Sequence, residues 1–205
     1  MILASHRQTV LVATRNPSKF QEMLELIGPN FSLLSRNTLL AAPEIEEVGD
    51  TFEINARLKA EGISRCFPGW VLAEDSGLEV DALQGKPGVH SARFAGIGAT
   101  SAKNRALLLK RLSTSCIPEG QRTARLHCVL ALARSGDTLL TAAGTVKGTI
   151  TRKERGEGGF GYDSLFLPFG YTSTFAELPS AVRNKISHRS RAFREFHRLW
   201  VATMK

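Results

Sequence analysis

The order of elements at the start of the chain constrains the fold most. Gln8 to Ala13 is a short, β-branched, apolar run, the pattern of a buried strand. Thr14-Arg15-Asn16-Pro17-Ser18 follows as a polar turn, and Pro17 suits the first turn of a helix, where its missing N–H does no harm. Phe20, Met23, Leu24 and Ile27 then recur at helical spacing until Gly28-Pro29 ends the helix. Phe31 to Leu34 reads as a second strand. Strand, loop, helix, strand in that order predicts an α/β fold.

The same reading extends along the chain. Thr51 is expected to cap a helix running to about Arg65, with Phe52, Ala56, Ala60 and Ile63 on its inner side. Trp70 to Ala73 is a strand, Asp75-Ser76-Gly77 a turn, and Leu78 to Val80 extended again. Ser101 to Leu112 is helical. Thr123 to Ala133 and Thr138 to Gly148 are long strands joined by Ser135-Gly136-Asp137, a hairpin signal. The last helix spans about Arg189 to Thr203, with Phe193, Phe196 and Trp200 on one face. No repeat or linker interrupts the pattern, so a single domain over 1–205 is expected.

Composition narrows the class. A chain of 205 residues buries well over half its unfolded surface and needs no disulfides to fold. Cys66, Cys116 and Cys128 are odd in number and lack metal-ligand spacing, which reads as reduced thiols of a cytosolic protein. No His or Asn motif accompanies them to make one a nucleophile. The start of the chain shows no signal peptide, and no stretch approaches the ~20 apolar residues of a membrane span. A cytoplasmic location away from membranes is expected.

The net charge of +8 favours a polyanionic partner. Nucleic acid and a nucleoside triphosphate both qualify, and excess charge can also serve no partner. The charges are spread along the chain without interleaved aromatics. The densest clusters, Arg152-Lys153-Arg155 and His188-Arg189-Ser190-Arg191, flank other candidate residues. A small phosphorylated ligand is the better expectation, with no nucleic acid as partner.

Four places depart from what a core needs. Thr14-Arg15-Asn16-Pro17-Ser18-Lys19 lies between a strand and a helix, where backbone N–H groups and the dipole end attract an anion. Without glycines it is no Walker loop, and it equally describes a capped helix start. Glu44-Ile45-Glu46-Glu47 precedes a helix, where acids complement the dipole or ligate a hard cation such as Mg²⁺. Glu74-Asp75-Ser76-Gly77 follows an apolar strand, where carboxylates can hold a metal and polarise water, or form a solvated turn. Gly158-Gly159-Phe160-Gly161-Tyr162-Asp163 lets backbone approach a ligand, with Phe160 placed to stack on a base and Asp163 to accept from ring N–H groups. Beside it stands Ser187-His188-Arg189, whose Arg189 is a natural phosphate or carbonyl partner. Core packing for Phe160, a hairpin for the glycines and a helix cap for His188 are the plainer readings.

Taken together, the stretches VLVATRNPSKFQEM, EIEEVGDTFEINARLKA, LAEDSGLEVDALQGKPGVHSARFAG, GGFGYDSLF and ISHRSRAF resemble the inosine triphosphate pyrophosphatase family, the non-standard purine nucleoside triphosphate pyrophosphatases. The similarity runs from about Val10 to Phe196, and the EDSGLEVDAL and GGFGYD blocks are specific to it. The resemblance implies a long, curved mixed sheet with flanking helices, forming two lobes around a substrate cleft. It also implies a homodimer and a Mg²⁺-dependent reaction in which water attacks the phosphate nearest the sugar. ITP, dITP and XTP would yield the monophosphate and pyrophosphate.

By the same resemblance, Thr14 to Lys19 matches the phosphate-binding loop. Asp75 matches the catalytic acid, both metal ligand and proton acceptor, and Glu46 the second metal ligand, with Glu47 as its alternative. Ser76 matches a substrate contact. Phe160, Gly161, Tyr162 and Asp163 match the base-binding block, and His188 and Arg189 the residues that read the 6-oxo group. Donors facing a 6-oxo purine reject adenine, whose 6-amino group is itself a donor. The chain departs from the family in two places: Arg183 stands where Lys is usual, and Arg15 where a Gly is common. Arg keeps the charge but differs from Lys in geometry. Two alternatives remain at this point: a related enzyme for modified pyrimidine nucleotides, and a basic nucleic-acid-binding protein.

Overall fold

A computed structural model describes residues 7–39 and 42–203. The residues before Arg7, read above as carrying no signal peptide, lie outside that range. Among the described residues the strands form one mixed sheet of six, in the order β2-β1-β3-β4-β5-β6. The strands are β1 (Gln8–Val12), β2 (Phe31–Ser35), β3 (Trp70–Val80), β4 (Thr123–Arg134), β5 (Asp137–Ile150) and β6 (Phe166–Pro168). The helices are α1 (Pro17–Leu26), α2 (Phe52–Ser64), α3 (Ser101–Thr114), α4 (Ser180–Ile186) and α5 (His188–Thr203). No described helix is long and apolar enough to cross a membrane.

The chain divides into two compact units. Among the described residues, the first comprises 7–39, 42–75, 129–143 and 192–203, the second 76–128 and 144–191. In the first, β1 pairs in parallel with β2 on one side and β3 on the other. Crossovers are right-handed, so α1 and α2, which lead to opposite sides of β1, lie on opposite faces of the sheet. The strand order reverses at β1 and β3, and ligands of such sheets bind beyond the C-terminal strand ends at that point. Val10, Leu11, Val12, Val71 and Leu72 are fully buried there, as continuous apolar runs in parallel strands require. Phe31, Phe196 and Trp200 close one side of this core, with Phe31 centred 5.6 Å from Phe196 and 5.3 Å from Trp200. Phe196 and Trp200 are two of the three aromatic positions that helical spacing predicts for α5.

In the second unit, α3 contributes Leu108 and Leu112 to a core with Leu78, Val80, Ile150, Phe166 and Phe175. At the far end of β4 and β5, in the first unit, Ser135 (φ 56°) and Gly136 (φ 92°) make the two-residue turn that a right-twisted hairpin favours.

One expectation is corrected. Asp75-Ser76-Gly77 is no turn: β3 runs unbroken from Trp70 to Val80. Acids in mid-sequence suggest a solvated bend, yet Glu74 and Asp75 are both buried. Each meets a lysine, Glu74 with Lys19 at 3.3 Å and Asp75 with Lys59 at 2.8 Å. That pairing removes the electrostatic reason to leave the sheet.

Candidate active site

The first unit assembles an acidic centre at the reversal of strand order. Ala13 N–H donates to the Leu72 carbonyl at 2.8 Å, so Glu74 and Asp75 lie just beyond the end of β1. Successive strand residues face opposite sides of a sheet. Glu74 therefore meets Lys19 of α1, and Asp75 meets Lys59 of α2, one on each face.

Lys59 was invisible to the sequence reading, although it stands on the same helical face as Phe52, Asn55, Ala56 and Ile63. Its Nζ donates to Asp75 Oδ1 at 2.8 Å and to Glu47 Oε1 at 3.0 Å. A charged residue one turn from buried Ala56, on the inner face with Phe52, was the available signal. Burial works against the Lys59 ammonium, but Asp75 and Glu47 together outweigh it and raise its pKa. Burial also pushes the Asp75 carboxyl above its ordinary value, an effect Lys59 and Lys19 offset only in part. The second carboxylate oxygen, Asp75 Oδ2, is buried without a hydrogen-bond partner among the described residues.

The acidic segment before α2 is held by packing. Asn55 accepts from Gly49 N–H at 2.8 Å and donates to the Gly49 carbonyl at 3.1 Å. Ile45 Cδ1 packs against α2 where a Cβ on Gly62 would sit, so the glycine lets this side chain approach the helix closely. Along this extended stretch Ile45 and Glu47 turn inward, while Glu44 and Glu46 are exposed. The structure thus brings Glu47, through Lys59, to Asp75, and places Glu46 on the outward side. Exposed Glu44 pairs with Arg15.

The phosphate-loop candidate is a capped helix start with polar side chains. Asn16 Oδ1 accepts from Ser18 N–H at 2.9 Å and Lys19 N–H at 3.2 Å, and Thr14 Oγ1 accepts from Asn16 N–H at 3.2 Å. Pro17 occupies the first helical position. Two backbone donors of α1 are therefore taken, and an anion there would rely on the dipole, the Ser18 hydroxyl and Lys19.

The second unit gathers the aromatic and basic candidates. A 330 Å³ cavity is lined by Gly158, Gly159, Phe160, Gly161 and Asp163 together with Arg105 and Glu154. Asp163 shapes the loop: its Oδ2 accepts from Phe160 N–H at 3.1 Å, and its own N–H donates to the Phe160 carbonyl at 3.2 Å. A Cβ on Gly159 (φ +70°) would fall 2.0 Å from Asp163 Oδ2, so that position requires glycine. The Arg189 guanidinium lies over the Phe160 ring at 5.3 Å from its centroid. His188 and Arg189 are both buried at the start of α5. Ser187 caps that helix, its Oγ accepting from Ser190 N–H at 3.1 Å. Arg183 on α4 reaches the loop, its Nη1 3.5 Å from where a Cβ on Gly158 would lie. Tyr162 belongs to the core, and its hydroxyl donates to the Ser91 carbonyl at 2.9 Å. Ser76 follows Asp75 within β3, half-buried.

No group of three or more His, Cys, Asp or Glu side chains is gathered among the described residues. What is present suits a hard cation only in part: Asp75 offers one unengaged oxygen, and Glu47 reaches the same lysine as Asp75. Mg²⁺ is commonly held by one or two carboxylates, water and substrate phosphates rather than by an all-protein cage, and this donor set fits that pattern.

A fold of this topology, with buried acids at the strand reversal and a glycine-aromatic loop, defines a class. Residues 10–199 match the model of the Ham1 family, and the chain belongs to that family. Among its relatives is a protein of Exiguobacterium sibiricum named dITP/XTP pyrophosphatase, 47% identical over 190 residues, covering 91% of this chain and 93% of that protein. One of the same name from Bacillus subtilis is 42% identical over 190 residues, covering 92% and 95%. The solved Ham1 protein of Coxiella burnetii superposes with a TM-score of 0.85 at 35% identity, covering 95% of this chain and 99% of that one.

Proposed function

We propose that this protein hydrolyses non-standard purine nucleoside triphosphates, ITP, dITP and XTP, to the monophosphate and pyrophosphate, with Mg²⁺ as cofactor. The observation that carries the reading is Asp75: buried, held through one oxygen by Lys59, and open at the other. The names of relatives alike over almost their whole length supply the substrate class.

Each residue has a task in this reading. Asp75 accepts the proton of the attacking water through the oxygen that Lys59 leaves unengaged. Lys59 keeps the carboxylate oriented by engaging Oδ1. Lys19 neutralises phosphate charge, and Ser18 and Thr14 add hydroxyl contacts. When bound through Asp75 and Glu47 or Glu46, Mg²⁺ supplies charge neutralisation on the departing pyrophosphate. Phe160 stacks on the purine, and His188 and Arg189 donate to the 6-oxo group. The same proposal includes a homodimer in the cytoplasm, and no nucleic acid as partner.

The test is pyrophosphate release from ITP, XTP, ATP and GTP, each with Mg²⁺ and with a chelator. Metal-dependent release from ITP and XTP well above that from ATP and GTP is expected. No release from any of the four would overturn the function, and binding to DNA that falls steeply with salt would favour the nucleic-acid reading instead.

A further inference from the structure

The second unit holds a charged chain that the proposed reaction does not use. Arg105, on α3, donates from Nε to Glu154 Oε2 at 2.8 Å and from Nη1 to the Gly161 carbonyl at 2.9 Å. The same Glu154 oxygen accepts from the Ser164 hydroxyl at 3.0 Å. These partners bracket the aromatic loop: Glu154 precedes it, Ser164 follows it, and Gly161 lies within it. Arg105 and Glu154 also line the 330 Å³ cavity alongside Phe160.

Packing alone does not hold the loop at Gly161. That residue has φ +64°, and nothing lies within 4 Å of where its Cβ would be. Glycine has wide backbone freedom, so an external contact must select its conformation. Asp163, which binds both Phe160 N–H and its carbonyl, closes the turn that contains Gly161. Arg105 adds a contact within that turn, at the Gly161 carbonyl. The task needs a guanidinium: donors diverging in a fixed plane reach a carboxylate and a carbonyl at once, which a single ammonium on a flexible stem does less well.

We propose that Arg105, anchored by Glu154 and Ser164, is a positioning residue that sets the Phe160 loop for stacking on the base. The proposal rests on the reading of that loop as the base site. Without Arg105 the Gly161 peptide gains freedom, and ordering it again on binding weakens affinity. The chemistry at Asp75 is untouched.

The experiment compares wild type, Arg105→Gln, Arg105→Lys, Glu154→Gln and the double variant Arg105→Gln/Glu154→Gln. It measures pyrophosphate release from ITP, calorimetric affinity for inosine monophosphate, and thermal midpoint. Arg105→Gln is expected to weaken affinity for the monophosphate and raise KM about tenfold, the scale of one charge-assisted hydrogen bond, with kcat nearly unchanged. Arg105→Lys should recover part of the loss. Adding Glu154→Gln to Arg105→Gln should cost little more, because the two act as one unit. Unchanged affinity and KM in Arg105→Gln overturns the proposal, as does a fall in kcat at constant KM. Should Arg105→Gln not fold, Arg105→Lys and Glu154→Gln carry the same comparison, and unchanged affinity in both overturns it. A wild type that binds the monophosphate without releasing pyrophosphate fails the proposed reaction but leaves the affinity comparison decisive. One that does neither overturns both.

Discussion

Lys59 Nζ sits 2.8 Å from Asp75 Oδ1, and both side chains are largely withdrawn from water. Removing one member of a buried pair leaves a charge uncompensated, at about 3–5 kcal/mol. Lys59→Met should therefore lower the thermal midpoint by many degrees and raise the Asp75 pKa further. Adding Asp75→Asn should restore much of the lost stability. A double-mutant cycle in thermal unfolding measures this coupling, and additive effects would refute it.

Asp75→Asn alone should abolish turnover while the protein stays folded. The amide keeps the shape but loses the charge and the proton-accepting oxygen, and a drop of at least about a hundredfold in pyrophosphate release from ITP is expected. A near-normal rate would remove Asp75 from the mechanism.

Phe160→Ala should act on binding. Loss of stacking on one base costs roughly 1–3 kcal/mol, so affinity for inosine monophosphate should fall about tenfold or more. The contact with Arg189 goes too. An unchanged dissociation constant in calorimetry would place the base elsewhere.

Gly159→Ala should be worse than its size suggests. It demands a left-handed residue, at about 1–2 kcal/mol, and puts a methyl against the Asp163 carboxylate. Affinity for the monophosphate and the thermal midpoint should fall together, whereas Gly161→Ala, with open space around it, should pay only the backbone cost. Equal midpoints for the two variants would contradict this account.

Burial pushes the Tyr162 hydroxyl well above its ordinary value, with Arg105 offsetting only part. An acid whose folded pKa is raised holds its proton in the folded state after the unfolded chain has lost it. Stability is therefore intact below the unfolded value of about 10 and declines as pH rises beyond it, by about 1.4 kcal/mol per unit. Denaturant unfolding between pH 8 and 11 should show this slope, and Tyr162→Phe should reduce it.

Much of the fold was legible because its signals are local. Asn16-Pro17, Thr51 and Ser135-Gly136 mark boundaries by their own backbone chemistry, and the structure places α1, α2 and the β4–β5 hairpin there. The Asp75-Ser76-Gly77 segment misled for the opposite reason: what keeps it in the sheet is Lys59, which is distant in sequence. Side-chain pairing across elements has no local signature. Lys59 and Arg105 were missed on that account, and so was the packing of Ile45 over Gly62 that turns Glu47 inward and Glu46 outward. The family blocks did point to the aromatic loop, while leaving unseen that Tyr162 serves the core.

The alternation of Glu74 and Asp75 along β3 has a consequence for how the strand finds its place. An apolar strand buried on both faces can slide along its neighbour at small cost, since Val, Leu and Ala interchange readily. A slip of one residue here would turn each carboxylate to the face where its own lysine is absent. The misaligned strand would bury unpaired charge, and so the acid pair acts as a key that fits the chain in a single alignment.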